Sequence, residues 1–155
     1  MIKNSIINER KDRGFTIVEL LVVIVVIGIL AAITIVSYTG ITARANASKA
    51  LANGQSIQAV AEAINADNSL YPTTTAQFGT LTSTARVPSG IVLQVAAPTA
   101  ANGTTNFQLY TLTTNPSTGG KIVYWDYNTN ALSTAATSLY WGAATSASAF
   151  TVFAS

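Results

Sequence analysis

The sequence predicts an α+β protein, in which a long amino-terminal helix, membrane-spanning in its first half, packs on a small antiparallel β-sheet. Three observations predict this fold. An apolar run occupies residues 15–36, a helical spacing of apolar residues continues toward residue 68, and short β-rich segments separated by turns follow from residue 69. We therefore expect four segments, namely residues 1–14, 15–36, 37–68 and 69–155.

The apolar run is long enough to cross a bilayer as a helix. Eighteen of its 22 residues are Phe, Ile, Leu, Val or Ala, and 22 helical residues span about 33 Å against a hydrocarbon core of ~30 Å. A secretory signal peptide usually has a shorter apolar region and ends in a small-residue cleavage site. Four basic residues precede the run and two follow it, which favours a cytoplasmic amino terminus.

Composition excludes several kinds of catalytic site. The chain of 155 residues contains no Cys and no His, so a Cys nucleophile, a Ser-His-Asp triad and a Cys/His metal site cannot form. The net charge of +2 comes entirely from residues 1–14, and the remainder is neutral. A basic face for nucleic acid is therefore not indicated, although binding of nucleic acid is not excluded. We predict no enzymatic activity, no cofactor and no metal site.

Two residues at the start of the apolar run are unusual for a simple anchor. Gly14 directly precedes the run, and Glu19 lies inside it, where a carboxylate is costly unless it has a partner. If the chain were cut after Gly14, Phe15 would carry a free, mostly cationic α-amine. That amine is a natural counter-ion for Glu19, either in the same chain or in a neighbouring one. The alternative is that Glu19 extends to the membrane surface.

The residues around Gly14 closely resemble the processing site of type IV pilins and type II secretion pseudopilins. The motif consists of a basic residue, Gly, Phe-Thr, an apolar pair, Glu and then an apolar helix. In this chain it reads Arg13-Gly14-Phe15-Thr16-Ile17-Val18-Glu19. A second, shorter resemblance to segments of pseudopilins and some pilins is at Tyr71-Pro72-Thr73-Thr74.

This resemblance implies a processing and assembly pathway. A prepilin peptidase in the membrane would cut between Gly14 and Phe15, remove the leader 1–14 and methylate the amine of Phe15. The subunits would wait in the lipid bilayer as single-pass proteins, and a membrane assembly platform would then build them into a helical homopolymer outside the cell. Glu19 would neutralise the amino terminus of an adjacent subunit during assembly.

Beyond the membrane segment, small and apolar residues fall at intervals of four and three from residue 43 to residue 64, which places them on one face of a helix. We expect the later part of this face to dock on the head, and the earlier alanines either to admit a neighbouring helix or simply to be part of an Ala-rich helix. The predicted docking residues are Ile57, Val60, Ala61 and Ile64, and the three early alanines are Ala43, Ala47 and Ala50.

The head is predicted as strands and turns. We expect strands near residues 91–96, 106–113, 121–127, 139–141 and 150–153. The sequence that begins at Asp126 is similar to the start of a calcium loop, but it lacks the later Gly and Glu that such a loop needs, so we predict a hairpin turn. Six aromatic residues fit either a sheet core or a binding surface. They are Tyr110, Tyr124, Trp125, Tyr127, Tyr140 and Trp141.

Three functions from different classes remain open at this stage. The first is a structural subunit of a type IV pilus-like filament at the cell surface, with a type II secretion pseudopilin as its variant. The second is a minor, tip-located subunit that binds a surface or DNA through its aromatic residues. The third is an unprocessed single-pass anchor that retains residues 1–14.

Overall fold

A computed structural model of the chain describes residues 14–81 and 85–153. Of the expected leader, only Gly14 lies within these ranges. The chain divides into two compact units, with the division after Thr39. Helix α1, Ile17–Asn68, contributes residues to both units, and all strands belong to the second. The fold class is α+β, as predicted.

Helix α1 extends over the apolar run and the small-residue stretch that follows it. It ends at Asn68, and the next residue, Ser69, adopts a left-handed φ of 58°. That conformation stops a helix, and Pro72 follows shortly after. Helix α1 thus ends at the last residue of the expected segment 37–68.

Among its described residues, 40–81 and 85–153, the second unit contains one short helix and seven strands besides its part of α1. Helix α2 is Gln77–Thr80, and a 3₁₀ turn is at Pro116–Thr118. The strands are β1 (Val92–Gln94), β2 (Asn106–Leu112), β3 (Gly119–Val123), β4 (Trp125–Asp126), β5 (Ala131–Leu132), β6 (Leu139–Gly142) and β7 (Phe150–Val152). Each predicted strand region contains at least one observed strand, whereas α2 was not predicted.

The main sheet has five strands and is mixed. Its order is β1-β2-β3-β6, and β7 also pairs with β2. The β2–β3, β3–β6 and β2–β7 pairs are antiparallel, as expected for this head. The β1–β2 pair is parallel, with Leu93 opposite Phe107, which differs from the wholly antiparallel sheet of the prediction. Strands β4 and β5 form a separate antiparallel hairpin.

The core lies between α1 and one face of the sheet. All four predicted docking residues are at most 5% exposed. They pack with residues of β2, β3 and β6 and with the carboxyl-terminal Phe153. Ala50 is also fully buried in this core, so it is not available to a neighbouring helix, whereas Ala43 and Ala47 are half-buried. Gly54 permits the close approach of α1 to β6, because a Cβ at Gly54 would lie 2.8 Å from the Leu139 side chain.

Side chains of α1 also cover the free edge of β6. The Gln58 amide donates to the Tyr140 carbonyl at 2.5 Å, and the Gly142 N–H donates to the Glu62 carboxylate at 3.2 Å. The Tyr71 hydroxyl donates to the same carboxylate at 2.6 Å. An exposed strand edge can pair with other chains, and this arrangement satisfies two of the backbone groups of β6 within the subunit.

Candidate processing and assembly segment

The predicted cleavage site lies just before α1 begins. Gly14, Phe15 and Thr16 have no regular secondary structure, and Phe15 is 91% exposed. A Cβ placed on Gly14 would meet no atom within 4 Å. Packing among the residues that the structure describes therefore does not require glycine at this position.

The first turn of α1 contains a reciprocal cap. The Thr16 N–H and the Thr16 hydroxyl each donate to Glu19 Oε2 at 2.8 Å, and the Glu19 N–H lies 3.2 Å from Thr16 Oγ1. This is the capping box, in which a residue at the N-cap and a Glu three positions later satisfy each other's backbone donors. A carboxylate in the first turn is also stabilised by the helix dipole.

The cap gives Glu19 a partner that the sequence analysis did not identify. The signal was present, because Thr16 and Glu19 form the Thr-x-x-Glu pattern that marks a helix start. The two bonds from Thr16 use one carboxylate oxygen. An ionised carboxylate offers about four acceptor positions, so Glu19 can cap its own helix and still accept a further donor. The structure thus brings Thr16 and Glu19 together, beside the peptide bond that would be cut.

The apolar side chains of the first unit are exposed along its length. Phe15 and the large apolar residues described from Ile17 to Ile35 range from 48% to 91% exposed. The hydroxyl of Thr34 donates to the Ala31 carbonyl at 2.9 Å, so this polar group has a partner within the helix. By length and composition, α1 is a helix that can cross a membrane. Such a surface requires lipid or other protein to cover it.

The aromatic residues of the head are largely engaged in packing. Trp141 and Tyr124 are buried, and the other four of the predicted group are half-buried. The Tyr127 hydroxyl donates to the Ala100 carbonyl at 2.9 Å, and the Tyr140 hydroxyl donates to the Ala135 carbonyl. These contacts weaken the hypothesis that the aromatic residues form a binding surface.

The segment that begins at Asp126 forms a hairpin turn, as predicted. Strands β4 and β5 pair on either side of it, Asp126 Oδ1 accepts the Asn128 N–H at 2.9 Å, and Asn130 has a left-handed φ of 53°. An aspartate that accepts from the backbone two positions later is typical of an Asx turn. Within residues 14–81 and 85–153, no group of three or more Asp or Glu side chains is placed to hold a metal ion.

Comparison with known proteins identifies a family motif at the amino-terminal part of the chain. The family described as "Prokaryotic N-terminal methylation motif" matches residues 10–35. The chain is 35% identical over 80 residues to the type II secretion system core protein G of Dickeya chrysanthemi, an alignment that covers 52% of each chain. The chain carries a prepilin motif and is homologous to type II secretion pseudopilins.

Other relatives of this prepilin-like chain extend the comparison. Core protein G of Escherichia coli K12 is 33% identical over 78 residues, which cover 50% of this chain and 54% of that protein. A fimbrial protein of Pseudomonas aeruginosa is 40% identical over 53 residues, or 34% of each chain. The chain thus spans about half the length of these secretion proteins and a third of the fimbrial protein. No solved structure matches the chain significantly.

Proposed function

We propose that the chain is a structural subunit of a type IV pilus-like filament, cut after Gly14 and polymerised through its apolar amino-terminal helix. The observation that carries this proposal is the exposed apolar surface of α1, which lies within the matched methylation motif. Lipid covers this surface before assembly and neighbouring subunits cover it afterwards. The subunit is not proposed to catalyse a reaction, and its homologues named above are a secretion system component and a fimbrial protein.

Processing creates the charge that assembly uses. Hydrolysis of the Gly14–Phe15 peptide bond leaves a carboxylate on Gly14 of the released leader and a free α-amine on Phe15. The peptidase then transfers a methyl group to this amine from a separate methyl-donor cosubstrate. The amine is cationic at neutral pH, and Glu19 in the next subunit presents a carboxylate with open acceptor positions. Pairing of the two groups in an apolar filament core replaces the charge hydration that both groups lose there.

The location changes with assembly. The precursor is a single-pass membrane protein with a cytoplasmic amino terminus, and its partners are the prepilin peptidase, the membrane assembly platform and lipid. The mature subunit is part of an extracellular helical homopolymer. The proposed segments are the leader 1–14, the membrane and filament-core helix 15–36, its extension 37–68 and the head 69–155.

A type II secretion pseudopilin is the second candidate. The secretion proteins among its relatives favour it, and so does the resemblance at residues 71–74, where Tyr71 and Pro72 are buried. The hydroxyl-rich head, with Arg86, Lys121 and Asp126 as its charged residues, instead favours dense packing in a surface fibre. Sheared surface fibres rich in the chain support the pilus, whereas a secretion defect without such fibres in a deletion strain supports the pseudopilin.

The experiment that tests processing is intact-mass measurement of the mature chain in its native host. The proposal predicts loss of residues 1–14 and one added methyl group on Phe15. Gly14→Val should leave the precursor uncut, because the branched side chain occupies the cleavage position. Gly28→Val is the matched control, since a Cβ there also meets no atom within 4 Å, and it should be processed normally. A wild-type mass that retains the leader would establish the unprocessed anchor instead.

A further inference from the structure

Two residues with polar side-chain groups, Glu19 and Tyr38, bound the most apolar part of the first unit. The 18 residues between them contain no charged side chain, and Tyr38 is the only aromatic residue between Phe15 and Tyr71. Glu19 and Tyr38 are 19 residues apart in α1, which at a rise of about 1.5 Å per residue is about 28 Å. This spacing is close to the ~30 Å thickness of the hydrocarbon core of a bilayer.

The Glu19 carboxylate is held toward the amino terminus of α1. The Thr16 N–H and the Thr16 hydroxyl both donate to it at 2.8 Å, so the charged group lies at the level of Thr16, about 4–5 Å before the Glu19 Cα. It is also exposed within the subunit. A carboxylate beside a bilayer is most stable where water and headgroups solvate it. This geometry therefore favours the headgroup layer over the hydrocarbon.

The Tyr38 ring lies at the other end of this apolar part. Its side chain is 69% exposed, and it lines a shallow groove with Thr34, Ile35 and Thr39. Long helical side chains point back over the preceding turn, which places the ring at the level of residues 34–38. The distance from the Glu19 carboxylate along the helix is then about 27–33 Å, and tyrosine is enriched at membrane interfaces because its ring is apolar and its hydroxyl is polar.

We propose that Glu19 and Tyr38 together set the depth of the unassembled subunit in a phospholipid bilayer. The Glu19 carboxylate lies in the headgroup layer on the cytoplasmic side, and the Tyr38 ring lies in the opposite headgroup layer. The residues between them lie in the hydrocarbon. This inference rests on the membrane stage of the proposed function, and it adds a defined depth and the two residues that determine it.

This depth gives Glu19 a role before assembly. Movement of the helix out of the bilayer, away from the cytoplasm, takes Tyr38 from the headgroups into water, but it takes the Glu19 carboxylate into the hydrocarbon. A carboxylate is costly there unless a partner compensates its charge. Glu19 therefore retains the subunit in the bilayer until the Phe15 amine of a neighbouring subunit supplies the compensating charge.

Spin-label depth measurement tests the proposal in the full chain, reconstituted into vesicles of phosphatidylethanolamine and phosphatidylglycerol. Because the native chain has no cysteine, a nitroxide can be attached to a single cysteine introduced at each of residues 20–37 in turn. Oxygen concentrates in the hydrocarbon, whereas a nickel complex stays in water. The ratio of nitroxide collisions with oxygen to those with nickel is therefore greatest at the deepest residue.

Removal of either polar group should move the deepest residue in a known direction. The next charged residue beyond Tyr38 is Arg44, six positions further on, and the one before Glu19 is Arg13, six positions earlier. The centre of the uncharged stretch moves by half of that extension. Tyr38→Leu should therefore move the deepest residue about three positions, about 4–5 Å, toward the carboxyl terminus. Glu19→Leu should move it equally far toward the amino terminus.

Two variants are matched controls at the Tyr38 end. Tyr38→Trp keeps an interfacial aromatic residue, and Thr34→Val removes a hydroxyl that already donates within the helix, so both should keep the wild-type profile. A profile unchanged in both leucine variants would show that apolar length alone sets the depth, which overturns the inference. A shift in only one of them overturns the joint role of the two residues.

The vesicle measurement requires neither cleavage nor polymerisation, so it separates this inference from the proposed function. The expected shifts in vesicles, together with a wild-type chain that forms no filament in its host, would contradict the proposed function alone. Unchanged profiles together with normal filaments would contradict the depth alone.

Discussion

Replacing Glu19 with glutamine separates the observed cap at the start of α1 from the proposed counter-ion role of the same side chain. Glutamine keeps a carbonyl oxygen that can accept from Thr16, so the capping box remains, but the negative charge is lost. Thr16→Val makes the opposite change, because it removes the hydroxyl of the cap and leaves the Glu19 charge in place. We expect Glu19→Gln to be processed after Gly14 and to fail in assembly, and Thr16→Val to assemble.

The expected magnitudes of the two effects differ. Opposite unit charges roughly 4 Å apart attract by about 4 kcal/mol at an effective dielectric constant of about 20. Loss of an N-cap residue typically costs about 1 kcal/mol. Each ~1.4 kcal/mol corresponds to a tenfold change in an equilibrium constant. Glu19→Gln should therefore reduce filament yield by far more than tenfold, and Thr16→Val by about fivefold.

The assay compares filament yield at equal amounts of processed subunit. Intact mass first establishes that each variant has lost residues 1–14, because a change at Thr16 lies close to the cleavage site. Sheared filaments are then quantified against the subunit that remains in the membrane. Normal yield from processed Glu19→Gln, together with loss of filaments in Thr16→Val, would refute the counter-ion account and leave the cap as the role of Glu19.

Three further predictions concern stability of the full chain in detergent. Gly142→Ala should lower the unfolding free energy by more than about 2 kcal/mol, because Gly142 has a left-handed φ of 62° and a Cβ there would clash with a backbone oxygen. Thermal unfolding measures this effect. Gly79→Ala is the control, since a Cβ at Gly79 would lie in open space. Burial and the bond to Glu62 raise the pKa of Tyr71 to about 12, so the folded state keeps a proton that the unfolded state loses above pH 10. Stability should then fall as pH rises from 10 to 12. The fall should be smaller in a Tyr71→Phe chain, measured in a pH series of unfolding curves, because burial also raises the pKa of Tyr124 and of Tyr140. The Lys121 ammonium lies 4.6 Å from the ring centroid of Tyr110 and 4.5 Å from that of Phe150. Lys121→Met should therefore lower the unfolding free energy by about 1 kcal/mol in the same measurement. An unchanged stability in Lys121→Met, together with a reduced stability in Lys121→Arg, would contradict a cationic contact with the rings.

The sequence predicted the helix, its docking face and the approximate strand positions because these depend on local periodicity. Ile57 and Ile64 repeat at seven positions on one helix face, and both are buried. The direction of β1 was not predictable in the same way. A parallel neighbour usually requires a crossover of a dozen or more residues, and only residues 95–105 connect β1 to β2. The short connection favoured an antiparallel pair, yet the turns between residues 99 and 106 return the chain in the parallel direction.

The candidate site was predictable as a motif but not as a geometry. Gly14, Phe15 and Glu19 were predicted as site residues because the sequence around them resembles the prepilin processing motif. The bonds from Thr16 to Glu19 depend on where α1 begins, and the sequence analysis treated the apolar run as helical from Phe15. The observed start at Ile17 makes Thr16 the N-cap. A shift of two residues in a helix boundary therefore changes the environment assigned to the carboxylate.

The capping box also bears on how Glu19 meets an incoming amine. Ordering a flexible side chain at an interface costs about 0.5–1.5 kcal/mol, and the two bonds from Thr16 have already fixed the position of the Glu19 carboxylate within its own subunit. Because those bonds occupy one oxygen and leave acceptor positions open, the carboxylate would already be oriented when the proposed partner, the Phe15 amine of a neighbouring subunit, arrives. Loss of the cap should thus weaken assembly through orientation, whereas loss of the charge removes the attraction itself. For this reason, filament yield should fall less in the Thr16 variant than in the Glu19 variant.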